Sequence, residues 1–302
     1  VGDTILIDDG LLELKVDELT ETDIVCTIMN GGELGMRKGV NVPNVKLGLP
    51  PITEKDREDI LFGIKQGFDF IAASFVRNAD AITEIKHILW ENHSDMQVIA
   101  KIENREGVDN IDSILKAADG IMVARGDLGV EIPAEEVPYI QKIIIKKCND
   151  AFKPVITATQ MLNSMITNPR PTRAEVSDVA TAIYDGTDAI MLSGETAMGK
   201  YPVESVQMMH KIALTSEDHL DYESILAEKR SYRTRGISSA VSYAAVATAY
   251  HMNSKAILIP TMSGYTARLV SKFRPQNSVV STSPYSPALR KMQLLWGIMP
   301  LK

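Results

Sequence analysis

The sequence predicts an α/β fold in which helices cover a parallel sheet, between a short all-β segment and a smaller α/β segment. Two observations predict this class. Short apolar runs alternate with amphipathic stretches between residues 52 and 219, and five of these runs end in a polar or glycine-containing motif. Repeated βα units require a parallel sheet with helices on its faces, so a (β/α)8 barrel or an open doubly wound sheet would satisfy the pattern.

Residues 1–49 form the predicted all-β segment. Apolar alternation predicts strands at 4–8, 11–16 and 23–28, and Asp9-Gly10 between the first two is a hairpin signal. Pro43, Pro50 and Pro51 close the segment. Because the chain opens directly on a strand and a hairpin, we expect it to begin inside a domain.

Residues 50–219 contain the five predicted βα units. The first helix has a capping-type start at Thr53 and runs to Gln66, where Gly67 stops it. The predicted strands lie at 68–75, 97–101, 120–124, 154–158 and 188–192. The helices between and after them are predicted at 79–90, 107–117, 135–151, 173–184 and 203–217.

The polar motifs at the carboxyl ends of these strands favour a barrel over an open sheet. They are Ser74-Phe75, Lys101-Ile-Glu103, Arg125-Gly-Asp127, Thr157-Ala-Thr-Gln160 and Ser193-Gly-Glu195. Catalytic residues of a (β/α)8 barrel come from the ends of several strands, whereas an open sheet concentrates them at one switch point. A barrel of this type needs eight strands, so we expect three more to precede residue 1.

Lys101, Glu103 and Asp127 are the first candidates for an active site. They follow apolar runs that predict buried parallel strands, where charges persist only if they are paired or bind metal. Lys101 and Glu103 are two residues apart and therefore project from one face of a strand, and Asp127 comes from the end of the next strand. One ammonium and two carboxylates should meet there.

A separate small α/β domain is predicted after a charged stretch at 217–235, which has the composition of a linker or a solvated helix face. Its helices are predicted at 238–252, 263–273 and 287–296, and its strands at 256–260 and 278–281. The segment 261–266, TMSGYT, joins strand to helix with hydroxyls and a glycine, which suits either an anion site or a plain helix cap.

Composition limits the possible partners. The chain has 302 residues, 45% of them hydrophobic, and a formal net charge of −7. An acidic chain lacks the basic surface of a nucleic-acid binder, so we expect no nucleic-acid partner. No run approaches the roughly 18 apolar residues of a membrane span, and we expect no membrane partner and a cytoplasmic location. The cysteines, Cys26 and Cys148, are expected to be reduced thiols.

Five motifs in order resemble the pyruvate kinase family, in its bacterial type. They are VIAKIENREGV at 98–108, MVARGDLG at 122–129, TATQM at 157–161, NPRPTRAE at 168–175 and IMLSGET at 190–196. The resemblance covers essentially the whole chain and implies a central barrel, an inserted β lid and a C-terminal regulatory domain. Residues 1–49 would then be the C-terminal part of the lid, 50–219 barrel strands 4 to 8, and 220–302 a truncated effector-binding domain.

The resemblance implies that the phosphoryl group of phosphoenolpyruvate is transferred to ADP, giving pyruvate and ATP. It implies that Glu103 and Asp127 hold Mg²⁺ or Mn²⁺ and that Lys101 stabilises the transferring group. The backbone at Gly126 and Asp127 would accept the substrate carboxylate. Thr159 would lie beside it, as a substrate contact and in the relay that protonates the enolate.

Further roles follow from the same resemblance. Lys38, in RKGVNVP at 37–43, would reach the nucleotide phosphates, and Arg173 would couple a subunit interface to the site. A phosphorylated allosteric effector would bind in the last domain, at Thr261, Ser263, Gly264 and Thr266. A homotetramer is the expected assembly, and K⁺ is an expected cofactor whose family ligands lie on segments that this chain lacks.

Those missing segments predict that the chain by itself is inactive, because they carry much of the phosphate-binding charge in the family. Two other functions remain open. One is a Mg²⁺-dependent lyase or aldolase of the pyruvate-enolate type, which also uses carboxylates at a barrel mouth but would not explain the lid lysine. The other is a non-catalytic remnant that binds phosphoenolpyruvate without turning it over.

Overall fold

Three separate sheets organise the chain in the computed structural model, which describes residues 1–43, 45, 48, 50–230 and 236–302. A four-stranded antiparallel sheet comes first, a five-stranded parallel sheet lies in the middle, and a three-stranded parallel sheet comes last. The predicted α/β class and its order of segments are confirmed. In the described part of the chain no helix combines the length and apolarity needed to cross a membrane.

The first sheet has the strand order β3-β2-β1-β4. Its strands are β1 (Thr4–Ile7), β2 (Leu12–Leu19), β3 (Ile24–Ile28) and β4 (Val40–Asn41). The hairpin between β1 and β2 turns at Asp8, Asp9 and Gly10, all with positive φ, as the sequence predicted. Much of this sheet is exposed, and only Leu12 and Val16 count among its buried apolar residues.

The central sheet has the sequential order β5-β6-β7-β8-β9, with every neighbouring pair parallel. Its elements in chain order are α1 (Glu54–Gln66), β5 (Phe70–Ala73), α2 (Ala79–Glu91), β6 (Gln97–Ile102), α3 (Arg105–Asp109), α4 (Ile111–Ala117), β7 (Gly120–Ala124), α5 (Arg125–Glu131), α6 (Val137–Asp150), β8 (Val155–Ala158), α7 (Arg173–Tyr184), β9 (Ala189–Met191), α8 (Gly194–Ala197) and α9 (Pro202–Asp218). Sequential parallel strands with helices between them are the connectivity of a (β/α) barrel.

Local chemistry explains several boundaries of these elements. Helix α1 begins with a reciprocal capping box between Thr53 and Asp56, and it ends at Gly67, whose φ of 70° is left-handed. The helix predicted at 107–117 is two helices, because the chain breaks at Asn110, whose side chain donates to Arg77 O. Strands β6 to β8 are almost entirely buried. Their helix-facing side chains join the largest hydrophobic core, whereas alternate residues such as Ile99 and Met122 form a separate cluster on the other face of the sheet.

The last segment begins with α10 (Tyr222–Arg230), so most of the described part of the predicted linker is helical, while 231–235 lie outside the described residues. It continues with α11 (Ile237–His251), β10 (Ala256–Pro260), α12 (Tyr265–Ser271), β11 (Ser278–Thr282), α13 (Ser286–Met292) and β12 (Ile298–Leu301). Helices α5 and α8 and strands β4 and β12 were not predicted from the sequence.

A buried charge cluster joins the last segment to the amino end of the central sheet. Asp188, directly before β9, pairs with Lys272 Nζ at 3.2 Å and Arg274 Nη1 at 2.8 Å. All three side chains are at most 4% exposed. Asp188 also accepts from Val155 N at 2.9 Å, and Lys272 donates to Lys153 O at 2.7 Å. The cluster therefore pins the two parallel sheets together.

Candidate active site

Lys101 and Glu103 meet at the carboxyl end of β6, as the two-residue spacing predicted. Lys101 Nζ lies 2.7 Å from Glu103 Oε1, and the Glu103 side chain is completely buried. Lys101 Nζ also donates to Ser74 Oγ at 2.8 Å, and the amide of Phe75 donates to Glu103 Oε2. The ends of β5 and β6 are thus joined through one ammonium and one carboxylate.

Burial raises the pKa of Glu103 above its ordinary value of 4.5, although Lys101 and the Phe75 amide both act to lower it. The negative charge of Asp127 adds to the upward shift. Oε1 has no hydrogen bond in favourable geometry, despite its ion-pair distance from Lys101. The carboxylate is therefore buried without full compensation, which is the condition under which a bound cation gains most.

Gly126 and Thr159 form a second contact, at the ends of β7 and β8. The amide of Gly126 donates to Thr159 Oγ1 at 2.7 Å, and Thr159 Oγ1 donates to Ala158 O at 2.6 Å. A Cβ at position 126 would lie 3.4 Å from Thr159 Oγ1, an ordinary contact distance, so this hydrogen bond does not by itself require a glycine. The Thr159 hydroxyl has a fixed orientation as a result of the two hydrogen bonds.

The backbone is strained at the same edge of the sheet. Phe75, Thr159 and Gln160 have φ values of 50°, 69° and 53°, a backbone region that residues other than glycine rarely adopt. In this conformation the backbone amide of Phe75 donates to Glu103 Oε2. Such residues persist where the surroundings fix them, often at functional sites.

The donor set fits a hard divalent cation. Glu103 and Asp127 supply two carboxylates, and no group of three or more His, Cys, Asp or Glu side chains in the described residues could enclose a metal alone. Mg²⁺ keeps several waters and is commonly held by one or two carboxylates together with substrate oxygens. An incompletely bonded Glu103 Oε1 is consistent with such a ligand.

Lys38 lies in the antiparallel segment. Its Nζ pairs with Asp8 Oδ1 at 2.9 Å, in the turn after β1. This segment touches the central domain where Asn41 Nδ2 donates to Glu131 Oε1 at 2.8 Å, at the end of α5. Helix α5 also carries Gly126 and Asp127, so the lysine's segment docks on the same helix as the site.

Only part of the predicted effector set lines a cavity in the last segment. This cavity of about 580 Å³ is lined by Pro260, Thr261, Met262, Thr266, Thr282, Ser283, Pro284 and Lys302. Thr261 and Thr266 therefore face the cavity, whereas Ser263 and Gly264 are not among its lining residues. Gly264 instead forms the turn, with a φ of 82° and an amide that donates to Thr261 Oγ1 at 3.1 Å.

Sequence reasoning missed several supporting residues. Ser74 was visible only as a polar strand end, and its bond to Lys101 depends on the pairing of β5 with β6. Lys302 follows β12, which the pattern did not predict because Pro300 lies within the strand and Gly297 directly before it. Arg125 stood in a predicted motif, but nothing local indicated that its side chain would turn away from the site.

Fold and site together define an α/β-barrel protein with one lysine and two carboxylates at the carboxyl ends of its strands. The family model "Pyruvate kinase, barrel domain" matches residues 1–206, and "Pyruvate kinase, alpha/beta domain" matches residues 239–302. The chain belongs to the pyruvate kinase family, as the motifs predicted.

Individual relatives agree with this assignment. The chain is 57% identical to a pyruvate kinase of Bacillus licheniformis, over 99% of this chain and 52% of that protein. It is 52% identical to one of Clostridium acetobutylicum, over 99% of this chain and 64% of that protein. The crystal structure of a pyruvate kinase from Cryptosporidium parvum matches with a TM-score of 0.95 and 43% identity, covering 100% of this chain and 63% of that one. The chain spans about half the length of most of these curated relatives.

Proposed function

We propose that the complete protein transfers the phosphoryl group of phosphoenolpyruvate to ADP, giving pyruvate and ATP. The observation that carries the proposal is the pair of Lys101 and buried Glu103 beside Asp127. In this reaction an ADP oxygen attacks phosphorus while the bond from phosphorus to the enol oxygen breaks. Such transfers need alignment and neutralisation of negative charge more than covalent help.

Each site residue has a role in this proposal. Glu103 and Asp127 hold Mg²⁺ or Mn²⁺, which supplies charge neutralisation at the phosphate oxygens when bound. Lys101 is the point charge beside the transferring group, and the bond from its Nζ to Ser74 Oγ supports its orientation. The backbone amides of Gly126 and Asp127 donate to the substrate carboxylate, with the Gly126 amide giving up its bond to Thr159 Oγ1 when substrate binds. Thr159 contacts the substrate there and takes part in protonating the enolate.

The remaining assignments belong to the same proposal. Lys38 binds nucleotide phosphates, and Thr261, Ser263, Gly264 and Thr266 bind a phosphorylated effector. For the effector, support comes from the cavity that Thr261 and Thr266 share with Lys302. A homotetramer and a requirement for K⁺ rest on the family alone, whereas a cytoplasmic location and domain limits at 49 and 219 rest on the sequence pattern.

The alternatives are less favoured by the same observations. A lyase or aldolase of the pyruvate-enolate type would use Glu103 and Asp127 but gives no role to the nucleotide-facing lysine proposed at position 38. A non-catalytic remnant could use Lys101 to bind the substrate phosphate, so this contact does not exclude it, but the 57% identity to a protein named pyruvate kinase favours turnover.

The test is pyruvate formation from phosphoenolpyruvate by the complete protein, with and without ADP and Mg²⁺. Lys101→Met should lower kcat about 10³-fold or more, because it removes a positioned charge from the transition state. Lys147→Met is a matched control, since that lysine pairs with Asp112 on the surface and should leave kcat unchanged. ADP-independent turnover would favour the lyase, and a wild-type protein that binds phosphoenolpyruvate without turnover would favour the remnant.

A further inference from the structure

The Arg125 side chain lies behind the contact between Gly126 and Thr159. It is 10% exposed, although it belongs to the first residue of α5 at the edge of the site. Its Nε donates to Ala158 O at 3.3 Å and its Nη2 donates to Thr159 O at 2.8 Å. The rigid guanidinium fork therefore holds two successive carbonyl groups at the end of β8.

The other side of the guanidinium is anchored on two helices. Nη1 donates to Asp178 Oδ1 of α7 at 2.6 Å and, more weakly, to Gln141 Oε1 of α6 at 3.4 Å. Nη2 also lies 3.3 Å from Met161 Sδ. The guanidinium is thus fixed by α6 and α7 on one side. Through it, the turn after β8 is attached to these two helices.

This turn needs external support. Thr159 and Gln160 are consecutive residues with φ of 69° and 53°, and Thr159 is β-branched, for which a left-handed conformation is especially unfavourable. In this conformation the Thr159 hydroxyl accepts from the Gly126 amide at 2.7 Å. Residues 125 and 126 therefore both bind the same turn. Arg125 donates to the carbonyls of Ala158 and Thr159, and the Gly126 amide donates to the Thr159 hydroxyl.

We propose that Arg125 is a positioning residue: it fixes the turn at 158–160 so that the Thr159 hydroxyl is aimed at Gly126 and at the substrate. The role in turnover rests on the proposed function. Arg125 itself touches neither substrate nor metal in this proposal. Its effect on kcat passes through Thr159, because a small displacement of a positioned group costs up to about 10²-fold in rate.

The kinetic test compares Arg125→Lys, Asp178→Asn and Thr159→Ala in the complete protein. Arg125→Lys keeps the positive charge beside Asp178 but loses the fork, so kcat should fall about 10- to 100-fold. Asp178→Asn keeps the fork and should change kcat less than about threefold. In the double variant with Thr159→Ala, Arg125→Lys should have almost no further effect, since residues acting as one unit are non-additive.

Hydrogen exchange of the segment 120–132 tests the contact without turnover. Arg125→Lys should speed exchange of the Gly126 amide at least about tenfold, and Asp178→Asn should not. Additive kinetic effects, or unchanged exchange in Arg125→Lys, would overturn the positioning role. If the variants show this exchange difference but the wild-type protein forms no pyruvate, the positioning of Thr159 by Arg125 is supported and the proposed function is refuted.

Discussion

Two buried carboxylates lie at opposite ends of the central sheet and differ in how their charge is compensated. Asp188, at the amino end, has two cations within 3.2 Å and a backbone donor. Burial acts to raise its pKa, but Arg274 and Lys272 outweigh burial and hold the pKa below its ordinary value. Glu103, at the carboxyl end, has a raised pKa and an oxygen without a well-formed hydrogen bond.

The difference separates a charge cluster that joins two segments from one that is proposed to bind a cation. A charge that only joins two elements is stable when every partner is already present, as around Asp188. A site that must bind a cation cannot have its carboxylates fully satisfied beforehand, because the cation would then have nothing to gain. Incomplete compensation at Glu103 is therefore consistent with metal binding, and full compensation at Asp188 with assembly.

The largest effect on stability is expected at Asp188, whose charge is compensated by Lys272 and Arg274. Asp188→Asn keeps the shape of the side chain but leaves Lys272 and Arg274 buried without a counter-charge. Breaking a buried pair in this way costs about 3–5 kcal/mol in the free energy of unfolding. Chemical denaturation of the complete protein measures it, and a loss below about 1 kcal/mol would contradict the structural role of the cluster.

The matched substitution of Glu103, at the carboxyl end of the sheet, should lower activity much more than stability. Glu103→Gln should lower Mg²⁺-dependent kcat about 10²- to 10³-fold while changing the free energy of unfolding by less than about 1 kcal/mol. Mg²⁺ should also raise the melting temperature of the wild-type protein and not that of Glu103→Gln, because only binding to the folded state stabilises it. An equal thermal shift in both proteins would place the metal elsewhere.

The smallest expected effect is a difference in pH dependence. Since the folded-state pKa of Glu103 is raised, its contribution to stability falls as pH rises from 4.5 through the raised pKa. The pKa of Asp188 is lowered, so its contribution is present above 3.8 and is lost as pH falls through the lowered value.

Unfolding measured against pH distinguishes the two carboxylates. Glu103→Gln should remove the decrease above pH 4.5, and Asp188→Asn should remove the loss below pH 3.8. If both variants flatten the same side of the curve, the two carboxylates do not differ as described.

Local patterns predicted most of the fold. Gly67 ended α1 where expected, and β7 and α7 have the predicted limits of 120–124 and 173–184. Helix α5 was missed because Arg125-Gly-Asp127 places a glycine in its first turn, which locally predicts a loop. The tertiary contacts of this short helix, whose Leu128 is fully buried, outweigh that preference.

The sequence revealed the site better than the cluster that joins the domains. Lys101 and Glu103 are neighbours on one strand, so their convergence follows from the period of two. Asp188 pairs with residues 84 and 86 positions away, and no local pattern connects such distant residues. The positive φ of Thr159 was equally invisible, because its cause lies in the guanidinium of Arg125.

The buried side chain of Lys272 also has a mechanical consequence. Its Nζ passes from the last segment into the central one and reaches Lys153 O at 2.7 Å as well as Asp188. Sliding the two parallel sheets past each other would separate this buried ammonium from its carboxylate and carbonyl partners with no water to replace them, which is strongly unfavourable. Buried charge therefore opposes relative motion of these two segments, whereas the antiparallel sheet meets α5 through the hydrogen bond from Asn41 to Glu131.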